Sequence, residues 1–264
     1  MNAANADGLT DDAFLGGALA ILQPEHGYRA GLDAVLLAAA CGVADGQSAR
    51  VLDAGAGVGV AGLSVARRVA DAQVTLVERE PALAAIAREN VLRNELAARV
   101  RVVELDVEDG GAAVSRGEAG GSPAGVVAGA YSHVIANPPY FAEGRGTRPP
   151  SQLKAAAHQM ADGALDQWCR FLATAAASDG LVTVIHRAEA LGALLAGLSR
   201  RFGALRVLPL HSRAGEVAHR VVIQGRKGSR APLSLLPGLI LHGEGHAFVP
   251  PIEAVLRRGA PLDW

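Results

Sequence analysis

Residues 51–62 read VLDAGAGVGVAG: an apolar run ends in Asp53, and glycine then occupies positions 55, 57 and 59. The Val and Leu before the acid have the character of a strand end. Three glycines on alternate positions let the main chain turn sharply and leave bare backbone for a ligand to lie against. The residues that follow, GLSVARRVA (62–70), continue as a helix. Strand, glycine turn and helix in that order open a parallel sheet with a ligand at its carboxyl edge. Gly57, Gly59 and Gly62 also match GxGxxG, with Glu78 and Glu80 about 20 residues further on, as a dinucleotide site requires. Read from the strand end, the same residues give D-x-G-x-G-x-G. Asp53 then puts negative charge where a pyrophosphate would sit, which favours a ligand with an ammonium group and no phosphate.

On both sides of this unit the chain alternates strand-like and helix-like periods. Residues 50–53, 73–78, 100–105, 132–136 and 181–185 read as strands, with two later strand-like runs at 205–210 and 218–224. Helices are expected over 81–96, where Pro81 opens the first turn, and over 166–177 and 188–202. Strands separated by helices imply a mainly parallel sheet covered on both faces. Residues 110–130 are too rich in glycine for either element and read as a surface excursion. The length of 264 residues suits one large α/β domain, and 50% hydrophobic with 19% charged residues excludes a disordered or fibrous chain. No apolar run reaches the roughly 20 residues of a membrane span. The first 17 residues are acidic and lack the pattern of a signal peptide, so a cytoplasmic protein is expected. Cys41 and Cys169 lie in apolar helix-like surroundings and read as buried thiols.

Three successive strands end in acids: Asp53, Glu78 and Asp106. On the carboxyl edge of one sheet, Glu78 can accept from both hydroxyls of a ribose, and Asp106 from the amino group of an adenine. A ligand with a ribose, an adenine, an ammonium and a cationic sulfonium is S-adenosylmethionine. The fourth strand ends VIANPPYF (134–141). Two prolines fix two φ angles and remove two donors, so a rigid turn holds Asn137 and Tyr140 in one relation. The turn is either a plain strand end or a site, and its position on the same edge as the three acids favours the site.

The net charge of −1 hides an asymmetry. Residues 1–135 hold 10 Lys+Arg against 17 Asp+Glu, and residues 136–264 hold 15 against 9. Only Lys154 and Lys227 in the second half are lysines; the rest are Arg, which suits bidentate contacts to phosphate. A solvated basic surface gives the same count.

The ordered set DAGAGVG, LVE, ELD and ANPPY resembles the class I S-adenosylmethionine-dependent methyltransferases with an amino-nitrogen target. GYRAGLDAVLLA (27–38) is similar to the N-terminal element of the bacterial tRNA1(Val) (adenine-37) N6-methyltransferase family. The resemblance covers roughly residues 20 to 225. It implies a Rossmann-like α/β fold with a mainly parallel seven-stranded sheet and helices on both faces. It divides the chain into an N-terminal segment (1–45) whose helix packs on the cofactor cleft, a methyltransferase domain (46–230) and a C-terminal tail (231–264). It implies S-adenosylmethionine held by Arg29, Asp33, Asp53, Gly55, Ala56, Gly57, Gly59, Glu78, Arg79, Asp106, Val107 and Asn137. The catalytic residues it implies are Asn137, Pro138, Pro139 and Tyr140. In similar enzymes the Asn137 side-chain oxygen and the Pro138 carbonyl accept the hydrogens of the target amino group, and Tyr140 stacks on the base. The expected partner is RNA, tRNA above all, with no metal and no membrane. The alternatives are the amide nitrogen of a protein glutamine, as in release factors, or another amino nitrogen: a ribosomal guanine, a DNA adenine or a small molecule. His242-Gly-Glu-Gly-His246 has the wrong order for a zinc helix, and His158, His186, His211 and His219 read as packed or surface histidines.

Overall fold

The computed structural model describes residues 8–109, 125–139 and 150–262. An N-terminal hairpin, β1 (Leu9–Phe14) and β2 (Leu19–Pro24), precedes helix α1 (Leu32–Ala40). The order then runs β3 (Ala49–Ala54), α2 (Val60–Arg68), β4 (Ala72–Glu78), α3 (Pro81–Arg93), β5 (Val100–Glu104) and β6 (Tyr131–Ala136). It continues through α4 (Pro150–Ala175), β7 (Ala176–Arg187), α5 (Leu191–Leu198), β8 (Phe202–His211) and β9 (Ala218–Lys227). Two short strands, β10 (Ser234–Leu235) and β11 (Leu239–Ile240), and helix α6 (Pro250–Arg258) follow.

The large sheet is ordered β10-β8-β9-β7-β6-β3-β4-β5, with β11 also on β8. β3 to β7 are parallel, whereas β9 runs antiparallel to both β7 and β8. The winding reverses at β3, because β4 and β5 lie on one side of it and β6 and β7 on the other. The two faces follow from the alternation of side chains along each strand. Val51, Val74 and Leu76 pack with α1, α2, α3 and α6, while Leu52, Ala54, Val77 and Val134 pack with α4 and α5.

The expected seven strands are present, and β10 and β11 bring the sheet to nine. Those two have two residues each, too few to show an alternating pattern. α4 begins at Pro150 and is longer than the expected helix at 166–177. α5 is shorter than the expected 188–202, because Phe202 is already paired with Lys227 across the sheet and buried in the core. Of the glycine-rich excursion, residues 110–124 lie outside the described residues. Both cysteines are buried and free. No described helix is long and apolar enough to cross a membrane.

The chain ends are tied to the sheet's helical layer. Asn90 and Asn94 lie four apart on α3 and therefore share a face. Asn90 Oδ1 accepts from Leu22 N at 2.7 Å and its Nδ2 donates to Leu22 O at 2.9 Å; Asn94 makes the same pair of bonds to Ala20 N and O at 3.0 and 2.8 Å. Four helical residues rise about 6 Å and two strand residues about 6.6 Å, so the two amides match alternate residues of β2 as a neighbouring strand would. Asn90 Nδ2 also donates to Val58 O at 3.0 Å, which joins the hairpin to the glycine turn. At the other end, α6 packs on α1, and Leu262 N donates to Ala39 O at 2.9 Å.

Asn90 is fully buried. Asn90→Ala leaves three buried backbone groups without their partner, and a loss of about 3 kcal/mol in urea unfolding is expected, with faster hydrogen exchange at the Leu22 amide. An unchanged midpoint would mean that β2 docks through its apolar face alone.

Candidate active site

The site is built on the turn between β3 and α2. Gly55, Gly57 and Gly59 all have positive φ, at 67°, 56° and 95°. A Cβ at Gly55 would lie 2.4 Å from the Trp168 ring, and one at Gly57 2.2 Å from the Tyr28 hydroxyl, so two aromatic side chains sit directly on the bare main chain. Ala56 N donates to Val77 O and Gly57 N to Glu78 Oε2, both at 2.8 Å, which fastens the turn to the end of β4. Glu80 N donates to the other Glu78 oxygen at 2.9 Å.

A cavity of about 900 Å³ opens over this edge of the sheet. Among the residues expected at the site, Arg29, Asp33, Gly55, Glu78, Arg79, Asp106, Val107, Asn137, Pro138 and Pro139 line it. Asp53, Ala56, Gly57 and Gly59 do not. The alternation that puts Val51 under α2 puts Asp53 there too, and its carboxylate accepts from Gly62 N at 2.8 Å, within the first turn of that helix. Asp53 is thus placed to hold the helix rather than to meet an ammonium group in the cavity. Gly57 lies beneath Tyr28, and Gly59 packs on Leu76 and Leu63 as the residue that starts α2. Tyr140 lies outside the described residues.

Burial pushes the Asp53 pKa up to about 7, the Gly62 N–H opposes this, and the neighbouring Glu78 carboxylate adds to it. Asp106 Oδ1 accepts from Glu108 N at 2.8 Å. Arg79 lies 3.7 Å from Asp106, 3.4 Å from Glu108 and 3.5 Å from Glu80, so it is embedded among acids. Arg29 is drawn to the hairpin by Asp12 at 2.6 Å and by Thr10 and Pro24 O. The cavity wall carries five acids (Asp33, Glu78, Glu80, Asp106, Glu108) against three arginines (Arg29, Arg79, Arg220). A cationic ligand suits that wall better than a dinucleotide pyrophosphate does.

The sequence reading missed Tyr28, Trp168 and Arg220 as wall residues. Tyr28 stood inside the GYRAGLDAVLLA element and was readable there. Trp168 looks like any core residue of an apolar helix, and Arg220 is one arginine among many until the fold brings it to Asp33, 2.9 Å away. His242 is stacked on Phe248 with ring centroids 4.5 Å apart, in a turn closed by a bridge between the two residues. Among the described residues no group of His, Cys, Asp and Glu is arranged to hold a metal ion.

The methyltransferase small domain family model matches residues 34–116, which run from α1 past β5. A crystal structure from Agrobacterium tumefaciens, described as a predicted O-methyltransferase, protein Atu636, is 33% identical. It superposes with a TM-score of 0.69 over 87% of this chain and 98% of that one. The chain belongs to the S-adenosylmethionine-dependent methyltransferases. Among curated proteins, the methyltransferase is similar to the tRNA1(Val) (adenine(37)-N6)-methyltransferase of Shewanella amazonensis, at 29% identity over 62% of each chain. The protein of the same name from Klebsiella pneumoniae is 35% identical over 44% of this chain and 42% of its own. That from Actinobacillus succinogenes is 29% identical over 75% and 77%. The match thus spans less than two thirds of the first two of these relatives. The donor set fits the methyl donor of the family: the carboxylates of Glu78, buried at the end of β4, and Asp106, just past β5, offer acceptors in an acidic cavity wall.

Asp53 gives a test of the turn by pH. Its carboxyl binds a proton up to about pH 7 in the folded chain, against an ordinary value of 3.8. The folded state therefore holds more protons than the unfolded state across that window, and the stability contributed falls as pH rises from about 4 to about 7. Asp53→Asn stays neutral and keeps an oxygen for Gly62. The melting temperature of Asp53→Asn relative to the parent is expected to climb through this window and level off above it. Parallel pH profiles would mean that Asp53 is not held protonated.

Proposed function

We propose that this methyltransferase transfers the methyl group of S-adenosylmethionine to the N6 amino group of an adenine in RNA, tRNA being the foremost candidate. The observation that carries the reading is the Asn137-Pro138-Pro139 turn, which ends β6 and enters the cavity wall beside Gly55 and Glu78. Bound there, S-adenosylmethionine supplies an activated methyl group on a sulfonium. Glu78 takes the ribose hydroxyls and Asp106 the adenine amino group, which brings the methionine end toward β3 and β6. The nitrogen of an exocyclic amine has its lone pair spread into the ring and must become tetrahedral to attack. The Asn137 side-chain oxygen and the Pro138 carbonyl accept its two hydrogens and turn the lone pair toward the methyl carbon. The sulfonium would leave with the carbon–sulfur electron pair as the nitrogen lone pair oriented by Asn137 and Pro138 binds the methyl carbon, and the surplus proton would leave to water. No strong base is needed: fixed geometry supplies up to roughly 7 to 11 kcal/mol, and fixed acceptors stabilise the charge developing on nitrogen. Tyr140 stacks on the extruded base.

Support for RNA comes from the names of the curated relatives and from the basic second half of the chain. Incubation with methyl-labelled cofactor and total cellular RNA, followed by digestion to nucleosides, is expected to yield labelled N6-methyladenosine. Label recovered instead on glutamine amides of a release factor would replace this reading.

Asn137→Ala is expected to lower turnover about 100- to 1000-fold, the loss of roughly 2.7 to 4 kcal/mol for one fixed acceptor, with affinity for S-adenosylhomocysteine nearly intact. A folded Asn137→Ala protein with parental turnover would remove the central claim.

Glu78→Ala is expected to weaken S-adenosylhomocysteine by about 1.5 to 3 kcal/mol in calorimetric titration, through loss of charge-assisted hydrogen bonds to the ribose. Because Glu78 also fastens Gly57, the variant's melting temperature is read alongside. Binding of NAD in place of S-adenosylhomocysteine by the parent would overturn the cofactor assignment.

A further inference from the structure

Arg187 ends β7 and Arg220 stands near the start of β9, and the two are direct register partners across an antiparallel pair. Opposed residues of such a pair project to the same face with Cβ atoms roughly 4.5 to 5.5 Å apart, and like charges there repel. The fold sets the stems of these two arginines side by side at the carboxyl edge of the sheet. Asp33 lies 2.9 Å from Arg220 Nε, and Glu189 lies 3.3 Å from Arg187 Nη1. The Arg187–Glu189 pair is open to water, with side chains 47% and 74% exposed, so it offsets little of the repulsion. Asp33 instead fixes the Arg220 side chain in the cavity wall that also holds Asn137 and Pro139. His186, packed beside them and buried, is held below its ordinary pKa first by burial and then in part by both guanidiniums.

The strand order says which part of a bound complex meets this pair. From Glu78 on β4 the edge passes β3 to Asn137 after β6, two strand spacings or about 10 Å. From there it passes β7 to Arg220 on β9, again about 10 Å. The first interval is filled by a cofactor with its ribose at Glu78 and its methyl group at Asn137. The second lies on the acceptor's side, where the backbone of a nucleotide whose base is held at Asn137 must leave the cavity.

We propose that Arg187 and Arg220 form a clamp for a phosphate of the acceptor nucleotide, with Asp33 positioning Arg220. The proposal rests on the reading of the acceptor as RNA. A phosphate between the two guanidiniums removes their repulsion and accepts from both, which is the pairing Arg geometry favours.

The test uses the full chain saturated with S-adenosylhomocysteine and a short fluorescent single-stranded RNA containing adenine, titrated by anisotropy over a series of salt concentrations. Arg187→Gln and Arg220→Gln are each expected to weaken binding several-fold at low salt. Each should also make the slope of log affinity against log salt shallower by about 0.7, the value of one phosphate contact on a single strand. The double variant should lose no more slope than either single variant, because both guanidiniums hold the same phosphate. Affinity for S-adenosylhomocysteine should stay at the parental value in all three. Arg187→Gln should melt no lower than the parent, since it relieves a like-charge pair, whereas a structural arginine would lower the melting temperature. If Arg220→Gln folds poorly, Arg187→Gln alone carries the slope test. Unchanged slopes in variants of an enzyme that methylates RNA would overturn the clamp alone. Loss of S-adenosylhomocysteine affinity on changing Arg220 would make it a cofactor anchor and overturn the clamp as well. A parent that shows no salt-dependent RNA binding would take down the RNA reading and the clamp with it.

Discussion

The hydrogen bond from Gly57 N to Glu78, 2.8 Å long and buried, fastens the glycine turn to the neighbouring strand. Without it the turn would have three positive-φ glycines and little to choose one conformation from many. With Glu80 N on its second oxygen, the same carboxylate is fixed in place at the wall of the cavity. Asp53 holds the far end of the turn through Gly62 N, so the two acids clamp its strand and helix sides. Burial first, and then the neighbouring Glu78 carboxylate, push the Asp53 pKa up to about 7. The arrangement leaves the wall at Glu78 and Asp106 as the region where a ligand meets negative charge.

The fold's core was legible because its signals are local. Short strand-like runs ending in Asp53, Glu78 and Asn137 give strands whose ends must lie on one edge once the sheet is parallel. Periodicity also found α2 and α3. The additions at both ends were not legible in that way. The strands β10 and β11 draw their order from pairing with β8, and the hairpin β1–β2 draws its from Asn90 and Asn94. Those two asparagines stand in the middle of a helix, where their side chains compete with the backbone. Two such residues four apart were a signal of an outside partner, but the sequence does not name the partner, which lies 68 to 74 residues away.

The candidate site divides in the same manner. Glu78, Asp106 and Asn137 were found because each ends a strand. Asp53 also ends the apolar run, yet it stands short of the edge: its register partner on β4 is Leu76, two residues before Glu78. Position along the strand, and not its alternation, therefore separates the wall residue from the helix anchor. Trp168 and Tyr28 close on the turn from opposite elements, α4 and the segment before α1, and only the folded chain shows that the two glycines they cover admit no Cβ.

The change of charge along the sequence has a spatial meaning that follows from the winding of the sheet. A chain that begins at β3 and lays β4 and β5 to one side must return across β3 before it can lay β6 and β7 to the other. Whatever sign of charge the first stretch carries is therefore deposited on one half of the carboxyl edge, and the sign of the second stretch on the other. Here the acidic stretch builds the half with Glu78, Glu80, Asp106 and Glu108, and the basic stretch builds the half with Arg187 and Arg220. Asn137 comes at the crossing, where the sequence count turns from acidic to basic and the sheet passes from one half to the other. A cationic donor and an anionic acceptor would each find the opposite charge on its own side, with the reacting atoms meeting at the boundary. On the RNA reading proposed above, the field of the edge would help orient the two partners before any specific contact forms.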